Sequence, residues 1–352
     1  MKQTLYRCLA AGAFIALSGM PAVAQHFTQT NLTSDAGIGG TQKDANLVNP
    51  WGMSRSSGSP WWLADNGSNL STLYTSTGST VPLVVSVPGG PTGTVFNGAT
   101  DFDLNGKPAA FIFSTEGGTI LAWNGGAAAT IVASKTNAVY KGLAIATIKG
   151  ANYLYATDFR HAQVDILDSN FQYVTLESGA GRPFSIDDGR MKGFAPFNIQ
   201  NIGGTLYVTF AKQDSQKHDE VDGPGLGFVA AFTPTGRLLQ IFETGPWLNA
   251  PWALAEAPGD FGPASHTLLV GNFGSGQIAS YDRVTGRFLT LLEDASGAPL
   301  WIDGLWGLSF GNDGSAGKAT VLYFTAGPNN ENNGLFGTLT PVASDLTQGN
   351  SN

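Results

Sequence analysis

The densest run of titratable side chains in this chain lies between residues 212 and 222. It holds Lys212, Asp214, Lys217, His218, Asp219, Glu220 and Asp222, in a sequence that is only 12% charged. An imidazole titrates near neutrality, so His218, and His161 upstream, are candidates for acid–base transfer, with Asp219 as a neighbouring carboxylate. The bland alternative is two solvated loop histidines. The remaining histidines are His26 and His266, and the single cysteine is Cys8. No HxH or HExxH spacing occurs, so a closed zinc site would need long-range convergence. No GxSxG stands between a strand and a helix, and the glycine-rich segments 37–40, 89–90 and 271–276 sit in turn contexts.

A hard cation is a second possibility. Calcium takes six to eight oxygens, which Asp, Glu, Asn and backbone carbonyls from separate segments can supply. Glu116, Asn249, Asn272 and Asp303 form a candidate Ca2+ set. The alternative is that each caps a glycine-rich turn through side chain to backbone hydrogen bonds. Asn49, Asp65, Asn66, Asp158 and Lys212 are candidate ligand-binding residues. Trp247 and Trp301 join them, because exposed indoles stack on flat or apolar ligand faces. The alternative for each Trp is packing between neighbouring structural units.

These residues need a scaffold that brings distant loops together, and an internal repeat supplies it. A strand-like run ending in small or polar residues occurs six times: WWLADN (61–66), AAFIFSTE (109–116), NYLYATDF (152–159), TLYVTFA (205–211), TLLVGNF (267–273) and VLYFTAG (321–327). Each is preceded by one apolar strand and followed by another, and five are followed by a fourth. The starts of the units fall about 40 to 55 residues apart, a period typical of propeller blades. Helical periodicity is absent after the N-terminal segment. This pattern predicts an all-β, six-bladed β-propeller of four-stranded blades. A two-sheet sandwich is the fold alternative, but it leaves the fixed order of strand types without a reason. The sixth copy has no fourth strand, while HFTQTNLTS (26–34) is an unassigned strand. That segment is expected to complete the last blade and close the ring.

In such a ring, the connections between second and third strands share a face with those between blades. The candidate residues lie on these connections, as do Lys141, Lys192 and the segment 329–331, so they are expected to converge on the channel mouth. The long connection 211–226 is expected to act as a partial lid.

Residues 1–24 read as a secretory signal, with Lys2 and Arg7 ahead of an apolar core and Ala22-Val23-Ala24 as a cleavage site. The mature segment 25–343 is then a single propeller, 344–352 a loose tail, and the location periplasmic or extracellular. No later apolar run reaches membrane-spanning length, so no membrane insertion is expected. Of 18 basic residues, Lys2 and Arg7 leave with the signal; 16 against 26 acidic residues gives a formal charge of −10. That balance speaks against nucleic acid or an anionic membrane as partner. A monomer is expected.

The stretches NPWGM (49–53), PTGTVFN (91–97), YKGLA (140–144), FAPFNIQNIGGTLYVTFAKQD (194–214), LLVGNFGSGQI (268–278) and LYFTAGPNNENNGLFG (322–337) resemble an uncharacterised family of exported bacterial six-bladed β-propellers. Some of its members carry a PEP-CTERM sorting tail, which the C-terminal TQGNSN does not match. The family is similar in architecture to NHL-type and gluconolactonase-like propellers. The resemblance implies the fold and, by analogy with the latter, a metal at the channel mouth; it transfers no activity. Two functions follow as expectations. One is binding of a small-molecule, oligosaccharide or peptide ligand at the channel mouth under residues 211–226. The other is a calcium-assisted hydrolase or lyase.

Overall fold

A computed structural model describes residues 26–39, 41–179 and 181–343. Residues 1–24 and 344–352, read above as signal and tail, lie outside the described residues. Six sheets, each built on an antiparallel core, follow one another along the described residues as the blades of a propeller. The innermost strands are Pro50–Ser54, Pro91–Phe96, Tyr140–Ile148, Phe194–Ile202, Pro251–Glu256 and Leu305–Phe310. Helical content among the described residues is slight, chiefly the three-residue 3-10 turns Gly189–Met191 and Gly262–Ala264. No helix among the described residues is long and apolar enough to cross a membrane.

The sixth blade closes as expected. Its three C-terminal strands, Leu305–Phe310, Leu322–Ala326 and Leu335–Pro341, are completed by the N-terminal strand His26–Ser34. The join is antiparallel, from Phe27 opposite Pro341 to Ser34 opposite Leu335. It covers the edge that an unclosed ring would leave exposed.

The blades carry β-branched and aromatic residues on both faces because each packs against two neighbours. Apolar clusters fill the gaps between blades, for example Leu269, Ile278, Leu305, Leu308 and Phe324 between the fifth and sixth. Toward the axis the inner strands come so close that side chains disappear. A Cβ on Gly93 would fall inside contact distance of the Leu143 backbone nitrogen, and one on Gly142 would collide with Asn198 of the next blade. A Cβ on Gly307 would lie 2.7 Å from the Trp51 carbonyl oxygen. The channel between these strands holds about 30 Å³, room for a water or two.

Every inner strand also breaks register at its start: between Pro50 and Met53, Pro91 and Thr94, Tyr140 and Leu143, Pro196 and Asn198, Pro251 and Ala253, and Leu305 and Leu308. A β-bulge leaves a backbone N–H without its ladder partner and re-aims a side chain. In three blades a hydroxyl on the second strand takes up that donor: Gly93 N–H donates to Ser114 Oγ at 3.1 Å, Asn198 N–H to Thr209 Oγ1 at 2.9 Å, and Gly307 N–H to Thr325 Oγ1 at 2.8 Å. The same layer ties blade to blade. Thr325 donates to the Trp51 carbonyl at 2.6 Å, Thr92 to that of Tyr140 at 2.8 Å, and Asn198 to that of Trp252 at 2.8 Å.

The close approach at the axis gives a direct test. Gly93→Ala forces backbone apart, with an expected cost of about 3 kcal/mol in chemical denaturation. Gly58→Ala meets nothing within 4 Å and is expected to be near neutral. Equal stability of the two variants would refute the packing account.

Candidate functional site

The bulges place Trp51, Thr92, Lys141, Phe197, Trp252 and Trp306 at equivalent positions of the six inner strands. Four of the six are aromatic, and they form one cluster with Phe159 and Phe273 from the second-to-third strand connections. Trp51 stacks on Trp306 at a centroid distance of 3.5 Å, Trp306 stacks on Phe273 at 4.0 Å, and Trp252 meets both tryptophans edge-on. The Trp252 indole N–H donates to the Lys141 carbonyl at 2.9 Å, across the ring. The cluster leaves the narrow channel closed to anything larger than water, so a ligand on this face must sit at the mouth.

Lys141 is the exception among these positions. Its side chain is 1% exposed and carries a full charge. A buried ammonium needs close counter-charges, and it has them. Its Nζ lies 2.6 Å from Glu116 Oε1 and 3.2 Å from Asp219 Oδ1, and 4.9 Å from the Trp51 ring centre, within cation–π range. Burial works to lower its pKa, but Glu116, Glu220 and Asp219 outweigh it and hold the value above the ordinary one.

From this ion pair a chain of contacts runs through five blades. Asn66 donates to Glu116 Oε2 at 2.8 Å, Asn49 approaches Asn66 Oδ1 at 3.5 Å, and the Trp306 indole donates to Asn49 Oδ1 at 2.9 Å. Asn49 also donates to Glu331 Oε2 at 2.6 Å. Glu331 ends three consecutive residues with left-handed backbone, Asn329 (φ 60°), Asn330 (φ 51°) and Glu331 (φ 63°). Such strain costs on the order of 1 kcal/mol or more per residue, and it turns the Glu331 carboxyl inward. Burial raises the Glu331 pKa, with Glu116 and Asp219 adding to it against Asn49 and Lys141.

At the other end the contact chain reaches the connection 211–226. This connection is largely a hairpin rather than an irregular loop. The second strand of blade four runs on to Gln213, and Glu220–Val221 pairs back onto it, Lys212 opposite Val221 and Gln213 opposite Glu220. A tight turn closes it, with Asp214 N–H donating to the Asp219 carbonyl at 2.8 Å and Lys217 at φ 55°. The hairpin carries Asp219 to Lys141, 78 residues away in sequence. His218 Nδ1 lies 2.8 Å from Asp219 Oδ1, and its side chain is 38% exposed. Burial pushes at the Asp219 carboxyl, but Lys141 and the His218 hydrogen bond hold its pKa below the ordinary range. A neutral His218 that donates Nδ1–H to Asp219 keeps Nε2 as an acceptor. Glu220 faces the same interior: although the residue keeps some surface in water, its carboxyl is pushed up to about 8 by burial, opposed by Lys141 and reinforced by Glu331 and Asp222. Burial also raises Asp222.

Other residues expected here have different surroundings. Asp65 is fully buried within blade one, its Oδ2 accepting from both the N–H and the hydroxyl of Thr72; burial raises its pKa well above the ordinary value. Asp158 and His161 form a separate pair at 2.7 Å, joined to Lys135. Lys212 donates to the Lys192 carbonyl on the flank of the hairpin. Trp247 stacks on Phe288 and donates to the Tyr281 hydroxyl, within the packing of blades four and five. Trp301 is 63% exposed, beside Gly276 of a mouth-side connection. In the calcium set, Glu116 is taken by Lys141 and Asn66. Asn249 Oδ1 accepts from Gly223 N–H, Asn272 Oδ1 from Asn249 N–H, and Asp303 Oδ2 from Asn329 N–H. The acids and histidine that do converge are Glu116, His218 and Asp219, whose ligand atoms lie within 4.8 Å of one another.

Three buried polar atoms on connections or bulges of this face have no hydrogen-bond partner among the described residues: Trp51 Nε1, Arg160 Nε and Ser275 Oγ. They add donors to a site whose other groups mostly accept. The centre of the site, Lys141, was legible only as one polar residue among several at the blade starts. Aligning the repeats exposes it, since it stands where four of the other five copies carry an aromatic ring.

Removal of the Lys141 charge should strand two carboxylates. Lys141→Met is expected to cost about 3 kcal/mol, and Glu116→Gln in the same chain should recover part of that loss in a double-mutant cycle of denaturation midpoints. Strict additivity would contradict the pairing. Glu220 gives a pH test. Its folded pKa of about 8 lies above the ordinary 4.5, so its contribution is fully present below pH 4.5 and is lost as the pH rises to 8. Glu220→Gln should therefore gain stability relative to the parent over that window, on the order of 2 kcal/mol after discounting for solvent. A pH-independent difference in thermal midpoints would refute the burial of this carboxyl.

No family model matches the chain. Uncharacterized protein L690 of Acanthamoeba polyphaga mimivirus is 30% identical over 329 residues, covering 88% of this chain and 84% of that protein. Uncharacterized protein R648 of the same virus is 30% identical over 318 residues, covering 84% and 76%. A third, uncharacterized protein R640, is 36% identical over 207 residues, and there the chain spans 38% of the relative's length. Among solved structures, a streptogramin B lyase superposes with a TM-score of 0.53 at 13% identity, covering 92% of this chain and 100% of that one. A protein of unknown function from Bacteroides thetaiotaomicron gives 0.55 at 12% identity, covering 90% and 76%. At these identities the structural likeness concerns the fold. The viral relatives lend no support to the bacterial origin or sorting tail of the family that the motifs resembled. The chain belongs to the same protein family as the mimivirus proteins L690 and R648, and it folds as a six-bladed β-propeller.

Proposed function

We propose that the channel mouth binds a small polar ligand that both donates and accepts hydrogen bonds, an oligosaccharide or a peptide segment, beneath the 211–226 hairpin. The observation that carries this reading is the Glu116–Lys141–Asp219–His218 assembly, built from blades two, three and four and partly open to solvent through Asp219 and His218. The hydroxyls of a sugar, or the amides of a peptide, answer to the accessible Asp219 carboxylate and His218 ring. Trp301 supplies an exposed ring on the same face. Binding, rather than turnover, is the more economical reading, because Lys141 is already neutralised and, among the described residues, no hydroxyl or thiol is hydrogen-bonded to His218.

The Glu116–His218–Asp219 trio favours one alternative, a metal-assisted hydrolase or lyase in which a cation polarises a carbonyl and His218 moves the proton. One imidazole and two carboxylates suit a divalent ion of mixed nitrogen and oxygen preference better than calcium, which seeks six to eight oxygens. Any such ion competes with the Lys141 ammonium for the same two carboxylates.

One experiment separates the two. The full chain and its Asp219→Asn variant are screened against glycan and peptide panels, with and without chelator, Ca2+ or Zn2+. Binding that Asp219→Asn weakens about tenfold, unaffected by chelator, is expected. Chelator-sensitive binding or turnover would favour the metal reading. No ligand above background under any condition would sink both.

A further inference from the structure

Outside the channel mouth, a cavity of about 610 Å³ lies on the rim of blade three. It is bounded by Ser134 and Lys135 at the end of blade two, by the strands Gln163–Leu167 and Tyr173–Val174, and by the segment reaching Arg182 and Pro183. A volume of this size suits a small organic ligand. Its floor is apolar, formed by Val164, Ile166, Val174, Leu176 and Pro183, with the Tyr173 ring 41% exposed beside it.

The charges in this cavity are already paired, with one exception. Lys135 Nζ donates to Asp165 Oδ1 at 2.8 Å and Oδ2 at 2.7 Å, and lies 3.1 Å from the buried Asp158. Asp165 Oδ1 also accepts from Gln163 at 2.6 Å, and Oδ2 from the Tyr140 hydroxyl at 2.9 Å. Each of its oxygens therefore has two donors, and a cationic ligand would find no acceptor there. Tyr140 gives its proton to Asp165, so the Tyr173 hydroxyl, 3.0 Å away, donates to Tyr140 and keeps its own lone pairs. Asp158 is paired with His161 as well as with Lys135.

Arg182 is the exception. One terminal nitrogen donates to the Ala162 carbonyl at 3.1 Å and to Gln163 Oε1 at 3.0 Å. Among the described residues its remaining N–H groups carry no hydrogen bond and no carboxylate pairs with it. A guanidinium in this state is a fork for a carboxylate. A dianion such as phosphate would face the Asp165 charge across the cavity, whereas a monocarboxylate brings a single charge to Arg182 and leaves its body for the apolar floor.

We propose that this cavity is a second ligand site, separate from the channel mouth, for a small monocarboxylate with an aromatic or aliphatic body anchored by Arg182. The test is isothermal titration of the full chain with phenylacetate and hexanoate, set against their neutral amides and inorganic phosphate. Saturable binding of a carboxylate is expected, weaker by about tenfold or more in Arg182→Gln and for the amide. Arg182 is exposed, so the variant should retain the parent's thermal midpoint. Asp219→Asn should leave this binding unchanged, which separates it from the channel-mouth reading. Absence of saturable binding, equal binding of acid and amide, or indifference to Arg182→Gln would each overturn the proposal.

Discussion

Six inner strands meet at an axis with little room for side chains, and that crowding governs the rest of the molecule. Gly52, Gly93, Gly142 and Gly307 stand where a Cβ would strike the backbone or a side chain of the next blade. The strands relieve the crowding by bulging at the same level. In blades two, four and six the bulge leaves a donor for a hydroxyl of the second strand, and each bulge re-aims one side chain at the mouth. The aromatic cluster and Lys141 are thus two products of a single geometric requirement.

A buried ammonium cannot stand alone in such a position, because its desolvation exceeds what any one contact returns. Glu116 from blade two and Asp219 from blade four are therefore drawn to it, and the 211–226 hairpin is the element that lets Asp219 reach so far. Its extension by regular pairing makes the reach rigid. The mouth becomes an arc of linked polar groups whose carboxylates have pKa values displaced in opposite directions: Asp219 down, where Lys141 and His218 stabilise its charge, and Glu220 and Glu331 up, where burial dominates. Divergent titration among neighbouring acids is a mark of functional sites, although structural ion-pair networks share it. Here it coincides with strained backbone at 329–331 and with buried donors that lack partners.

The two histidines on this face belong to different assemblies. His218 stands with Asp219 at the mouth, and His161 with Asp158 and Lys135 at the rim of blade three. A propeller face is wide enough for loops of adjacent blades to build separate sites, and the electrostatics keep them apart: Lys141 neutralises one group of acids, Lys135 the other.

Much of the architecture was determined by the sequence alone. Six copies of one strand order, the missing fourth strand of the last copy and the orphan strand at residues 26–34 dictate a closed six-bladed ring, because alternation and turn residues are local signals and repetition multiplies them. Local patterns also placed Asn49, Asn66, Glu116, His218 and Asp219 on one face. The pairing of those residues was decided by tertiary structure. Asp65 and Asn272 have the same types and spacing as true mouth residues, yet their side chains turn into blade or turn hydrogen bonds. Lys141 looked like any polar residue at a blade start until the ring closed around it. Distances between loops from different blades depend on the bulges and on the tilt of each sheet. No single segment encodes these, since they arise only when all six inner strands compete for the same axis.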